Sequence, residues 1–214
     1  NVVAATSWLH RTCKNVSRSD PNEICRHERD EWKMKSVMIS IKPSWCKRIM
    51  LKEKTVEIRR TRPILDTPFR CYIYCTAERG RKNTLFVAGS DGADYALNGR
   101  VIGEFTCKEI QKISRIGSTG SRQPEVYNAT RYENGIQKQG MTQSQLLETS
   151  CLTFEEMDRY LHGFGFAWIV SDLHIYGIPR ELRWFKKWHD DGMWSTLLNV
   201  ERPPQSWGYV EELK

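Results

Sequence analysis

The order of apolar and polar positions divides the chain near residue 34. Residues 1–33 are polar and turn-rich, with Asn15-Val16-Ser17-Arg18 running into Ser19-Asp20-Pro21-Asn22, and neither a helical nor a strand period runs through them. From Met34 the pattern becomes regular. Val37 to Ile41 is an apolar run of strand length. Lys42-Pro43-Ser44 opens a short helix, with Pro43 suited to its first turn and Trp45, Ile49 and Met50 on its apolar face. Thr55 to Arg60 alternates, Val56 and Ile58 one way and Thr55, Glu57 and Arg59 the other, which predicts a half-buried strand. Phe69 to Thr76 is a further strand. Arg100 to Ile113 alternates over a long stretch, with Val101, Gly103, Phe105 and Cys107 on one face.

The second half continues in the same manner. Thr153-Phe154-Glu155-Glu156 is a capping box that opens a helix reaching Leu161. Phe164 to Pro179 is strand-rich, Glu181 to Trp188 has helical spacing, and Trp207 to Val210 is a closing strand. Two stretches interrupt the pattern. Ala77 to Gly99 is rich in Gly and Asp and reads as an extended loop or ragged hairpin. Residues 115–150 are polar and long for a loop, with a helical turn at Thr142 to Leu147, and read as a variable insertion. Short strands with a few flanking helices predict an α+β chain built on a small β-barrel. The domain expected is 34–214, with 1–33 as a polar tail outside its core.

A length of 214 residues with 39% hydrophobic content suits one such domain. No apolar run approaches the ~20 residues that a membrane helix needs. The seven cysteines are irregularly spaced. Cys71 and Cys75 share a strand face yet stand roughly 13 Å apart, too far to bridge. Reduced thiols in a cytoplasmic protein are the expectation.

Charge sharpens the picture. Between Met34 and Arg62 there are nine basic residues against only Glu53 and Glu57. That excess of seven equals the formal net charge of the whole chain, +7. The basic character is therefore local to one helix and the strand after it. Such concentration is the electrostatic footprint of a phosphate-bearing partner, or else a solvated helix face.

The same stretch carries the candidate chemistry. In Leu51-Lys52-Glu53-Lys54-Thr55-Val56-Glu57-Ile58-Arg59-Arg60, Lys54 falls at a helix-to-strand junction, and Glu57 and Arg59 lie two apart on one strand face. A Lys, a Glu and an Arg converging on one cleft offer donors for phosphate or carbonyl oxygens and a carboxylate for acid/base work. The alternative is an ordinary amphipathic strand with surface ion pairs. Lys54-x-x-Glu57-x-Arg59 after a basic helix resembles the G-x-K-x-x-E-x-R signature of the ASCH domain family, which belongs to the PUA-like barrels. Lys52 stands where the signature has its glycine. Ile39 to Pro43, Tyr72 to Thr76, Gly99 to Phe105, Trp168 to Asp172 and Pro203 to Trp207 are also similar to segments of phage and bacterial members, in the same order.

The resemblance implies a PUA-like barrel with a cleft beside the signature strand, binding RNA or a nucleotide. The binding residues it points to are Lys42, Lys47, Arg48, Lys52, Lys54, Arg59, Arg60, Ser171, Asp172 and Trp207. Some family members are similar to amidohydrolases that deacetylate N4-acetylcytidine, and ribonuclease activity is known for others. A hydrolase reading would use Lys54, Glu57 and Glu104. The amidohydrolase pattern has a Thr three residues after its Lys, and here that position is Glu57. Other residues fit two accounts. Trp45 and Trp168 read as core. Trp207 either stacks a base or closes the barrel end, and Ser171-Asp172 either enters the cleft or caps a turn. Trp184, Trp188 and Trp194 beside Lys186, Lys187 and His189 suit single-stranded nucleic acid or a packed helix. His10-x-x-Cys13 and Cys25-x-His27 could be read as four zinc ligands, but the Cys-x-His spacing is too tight for a usual knuckle, so no metal or cofactor is expected.

Overall fold

The structure is a computed structural model that describes residues 35–77, 84–89, 91–117, 126–190 and 195–213, without the side chains of 188–190 and 195. The strands are β1 (Lys35–Ile41), β2 (Val56–Arg59), β3 (Phe69–Cys75), β4 (Phe86–Ala88), β5 (Asp94–Ala96), β6 (Arg100–Ile116), β7 (Val126–Glu133), β8 (Ile136–Gln139), β9 (Phe164–Arg180), β10 (Lys186–Asp190), β11 (Ser195–Asn199) and β12 (Trp207–Glu211). The helices are α1 (Pro43–Met50), α2 (Gln143–Ser150) and α3 (Phe154–Leu161). No helix among the described residues is long and apolar enough to cross a membrane.

Eight strands form one sheet. Its frame is the antiparallel pair of 17-residue strands β6 and β9. β3 and then β7 pair along one edge of β6, and β9 runs along the other. β1 joins β3 in parallel and β12 lies outside β1, while β2 pairs only with β9. Two small hairpins, β4–β5 and β10–β11, stand apart from this sheet.

The expected barrel is corrected here: the path β12-β1-β3-β6-β9-β2 ends in two strands that do not pair with each other. The register between β6 and β9 shifts three times, and such bulges and irregularities bend and coil a sheet. The coil brings the two ends together without backbone pairing. The Arg59 guanidinium on β2 fills the interval, donating to the Ser40 carbonyl on β1 at 2.7 Å and to Ser206 Oγ, just before β12, at 3.2 Å.

Three cores explain the sequence pattern. Val37, Ile39 and Ile41 of β1 and Cys71, Ile73 and Cys75 of β3 face one cluster, with Ile49 and Trp168. Met38, Tyr72 and Tyr74 face a second cluster on the opposite side, with Phe185 and Val210. Both strands are buried on both faces, so they read as continuous apolar runs rather than alternations. A third cluster gathers Val56, Ile58, Ile113, Tyr127 and Ala167 beneath α2 and α3. Each of these helices opens with a Thr capping box, at Thr142 and at Thr153.

Three further expectations change. Residues 126–150 are not a loop: β7 and β8 form a hairpin through Asn134 and Gly135, both at positive φ, and α2 follows. The segment from Glu181 to Trp188 is a single 3-10 turn, Leu182–Trp184, leading into β10. The ragged hairpin at 77–99 is β4–β5 where it is described. Cys46, Cys71, Cys75 and Cys107 are buried and free, and Cys151 is partly exposed and free. His10, Cys13, Cys25, His27 and Trp194 lie outside the described residues, as do the side chains of Trp188 and His189. Among the described residues no cluster could hold a metal ion.

Candidate functional site

The approach to β2 sets the site. After α1 the chain turns back on the helix end, with the Glu53 and Lys54 amides both donating to the Arg48 carbonyl. Lys52 adopts φ 60°, the left-handed conformation that glycine takes at least cost. This is the position where the family signature has its glycine. The turn delivers Lys54 beneath α2, where its ammonium donates to the Ser150 carbonyl at 2.8 Å. Ser150 ends α2, so the ammonium satisfies one of the helix's unpaired carbonyls at the negative end of its dipole.

The strand then carries two more charges inward. Glu57 Oε2 is 3.3 Å from Lys54 Nζ, and Glu57 Oε1 is 3.0 Å from Arg59 Nε. All three side chains are less than a tenth exposed. The expected half-buried strand is corrected, and the alternative of surface ion pairs falls with it: all four residues of β2 are buried, Val56 and Ile58 in the apolar core and Glu57 and Arg59 within an ionic cluster. Glu57 Oε2 and Arg59 Nε have no partner in linear hydrogen-bond geometry despite these short distances. The attraction there is Coulombic rather than directional. Gly165 on β9 permits this packing, since a Cβ there would come within 2.8 Å of the Arg59 carbonyl and 2.4 Å of Leu161.

The cluster forms one wall of a cavity of about 600 Å³. Lys42, Trp45 and Thr76 also line it, as do Glu156, Arg159 and Tyr160 of α3. The Trp45 ring lies 5.3 Å from the Lys54 ammonium and 5.7 Å from the Arg48 guanidinium, cation–π distances that tie the tryptophan to the charged wall.

Of the residues singled out from sequence, Lys42, Lys54, Glu57 and Arg59 meet at this cavity. Lys47, Arg48, Lys52 and Arg60 are exposed and do not line it. Glu104 is elsewhere: it accepts from Arg70 at 2.6 Å and from the Tyr176 hydroxyl, so it does not join Lys54 and Glu57. Burial, and after it the bond to Glu104, pushes the Tyr176 hydroxyl well up from its ordinary value. Ser171 donates to the Thr106 carbonyl and to Asp172, which takes φ 49° at a bulge, so the pair serves the strand bend. Trp207 packs on Trp168 and Tyr209 and donates to Thr61 Oγ1 at 2.9 Å, closing the sheet end rather than lining the cavity.

Trp45, read as core from the sequence, packs against the first core cluster and also lines the cavity, whereas Arg159 and Tyr160 were missed. The spacing of α3 held the signal: Met157 and Leu161 are buried, which turns Glu156, Arg159 and Tyr160 to other faces.

No protein-family model matches the chain, and no curated protein matches it. Among solved structures, the chain is similar to a mutant form of ASCH from Zymomonas mobilis, with TM-score 0.40 and 17% identity over 81% of this chain and 87% of that one. It likewise resembles the crystal structure of ASCH from Zymomonas mobilis itself, with TM-score 0.42 and 18% identity over 81% of this chain and 86% of that one.

Proposed function

We propose that this chain is an ASCH-type, PUA-like module that binds RNA or a nucleotide, taking one nucleotide into the cavity beside Lys54. The observation that carries the reading is the buried Lys54–Glu57–Arg59 cluster on the wall of a cavity of about 600 Å³. That volume is in the range of sites for small organic ligands. The Lys54 ammonium has three protons, and the Ser150 carbonyl accepts one, which leaves donor capacity toward the cavity while Glu57 supplies the counter-charge. Glu57, set between two cations, holds both by charge. The exposed Lys47, Arg48, Lys52 and Arg60 are the phosphate-contacting rim, and Lys42 lies at the cavity itself. The domain is 34–214 with 1–33 as a polar tail, and its free, buried thiols accord with a reducing cytoplasm.

Fluorescence anisotropy with a single-stranded RNA of about ten nucleotides tests this. Binding should weaken steeply between about 50 and 200 mM salt. Lys54→Ala should lower affinity at least roughly tenfold, and unchanged affinity in that variant would remove the site assignment. Incubation with N4-acetylcytidine separates binding from hydrolysis. The binding reading expects no turnover, because Glu104 is engaged away from Lys54. Turnover that depends on Lys54 would make the protein a hydrolase instead.

A further inference from the structure

The third core covers only one face of the sheet where β9, β6, β7 and β8 run together. Ala167, Ile113, Tyr127 and Ala129 point into that core under α2 and α3. Their neighbours in sequence point the other way. On that second face Phe164 is 42% exposed and Tyr132 60%, and Lys112 and Asn128 are exposed.

The register puts these residues in rows. Arg59 pairs with Phe166, Phe166 with Lys112, Lys112 with Thr130, and Thr130 with Gln139. One line of side chains thus crosses five strands, starting at the guanidinium of the cavity cluster and ending on the edge strand. At the usual strand spacing it is on the order of 19 Å long. The next row is Phe164, Ser114 and Asn128. Phe164 and Phe166 meet edge-to-face with centroids 5.2 Å apart, and the Lys112 ammonium lies 5.4 Å from the Phe164 ring.

We propose that this face is a stacking platform for single-stranded RNA, continuous with the nucleotide cavity through the Arg59–Phe166 pair. The inference rests on the reading of that cavity as a nucleotide site. Three features favour this occupant. Exposed rings on a sheet offer π-faces to successive bases, and every base can stack on them. Lys112 among the rings supplies a cation for the backbone. Asn128, Thr130, Gln137 and Gln139 supply neutral donors and acceptors, so no carboxylate interrupts these rows. A strand that leaves one nucleotide beside Lys54 would lie next along the row that begins at Arg59.

The test compares a mononucleotide with a single-stranded RNA of about ten nucleotides. Wild type should bind the longer RNA more tightly. Phe164→Leu and Tyr132→Leu keep apolar bulk without a ring. Each should weaken the longer RNA roughly tenfold and leave mononucleotide affinity unchanged. Lys54→Ala should weaken both ligands. If wild type binds both ligands equally, or the ring variants bind the longer RNA normally, the platform is overturned while the cavity reading survives. Binding of neither ligand removes both. A dimer in analytical ultracentrifugation that Phe164→Leu dissolves would assign the face to a second copy of this chain and overturn the proposal.

Discussion

Arg59 on β2 donates to the main-chain carbonyl of Ser40 on β1 at 2.7 Å, so a side chain joins two strands that share no backbone ladder. The same guanidinium meets Glu57 at 3.0 Å and Ser206 Oγ at 3.2 Å. One residue therefore neutralises the buried carboxylate and holds the two ends of a coiled, open sheet in contact.

Replacing Arg59 by Ala should cost about 3–5 kcal/mol, because it leaves a buried carboxylate short of a partner and opens the interval between β2 and β1. Arg59→Lys should recover only part of that loss. A lysine is a compact point charge and lacks the planar fork that serves three acceptors at once. Urea denaturation reads both variants, and equal stability of Arg59→Lys and wild type would contradict this role.

Lys54 and Glu57 should be energetically coupled. Glu57→Gln leaves two buried cations without their counter-charge, and Lys54→Met leaves the carboxylate with Arg59 alone. Neighbours in one ionic network show interaction energies of about 0.5–3 kcal/mol. A double-mutant cycle should give a value within that range, with the double variant more stable than the sum of the single effects. Simple additivity would mean that the 3.3 Å approach contributes nothing.

The cluster was visible in sequence because its three members fall within six residues of one strand and its entry turn. Spacing alone put Lys54, Glu57 and Arg59 together. It did not show that they are buried, since alternation looks the same on an exposed strand and on one covered by α2 and the Ser206 loop. Glu104 misled for a related reason. Its strand is central, but strand position says nothing about a partner 72 residues away, and Tyr176 is that partner. The β7–β8 hairpin did carry a local signal, Asn134-Gly135 between alternating residues, which the polar composition of the segment obscured. The barrel expectation failed at the interval between β2 and β1, where the Arg59 side chain and not a backbone ladder makes the connection, which no alternation of residues announces.

Lys52 gives a stabilising prediction. Its φ of 60° costs a lysine more than a glycine, although glycine loses more entropy on folding. Lys52→Gly should raise stability by up to about 1 kcal/mol, seen as a rise in Tm of a few degrees. The charge removed is on the exposed rim, so Lys52→Gln is the control: it should lower RNA affinity and its salt slope as Lys52→Gly does, without raising Tm. A fall in Tm for Lys52→Gly would show that the turn does not strain the lysine.

The buried thiols set the response to alkali. Burial pushes the Cys107 thiol up from 9.0 to about 12, and Cys71 is likewise raised well above its ordinary value, by burial first and by Cys107 beside it second. Each thiol is neutral when folded and ionises more readily when unfolded. Between about pH 9 and pH 12 the folded chain therefore holds the protons that the unfolded chain has lost. Stability from Cys107 is fully present below pH 9 and falls as pH rises toward 12, by an amount on the order of 4 kcal/mol over the whole window. Urea midpoints measured from pH 8 to pH 10.5 should fall, and the fall should be shallower in Cys107→Ala, which starts less stable but lacks this ionisation. Iodoacetamide at pH 9 gives an independent reading. Cys151, partly exposed, should be alkylated in the native protein, while Cys107 should be labelled only as fast as the chain opens. Peptide mass mapping that found Cys107 and Cys151 modified at the same rate would show that the Cys107 thiol is not shielded by burial.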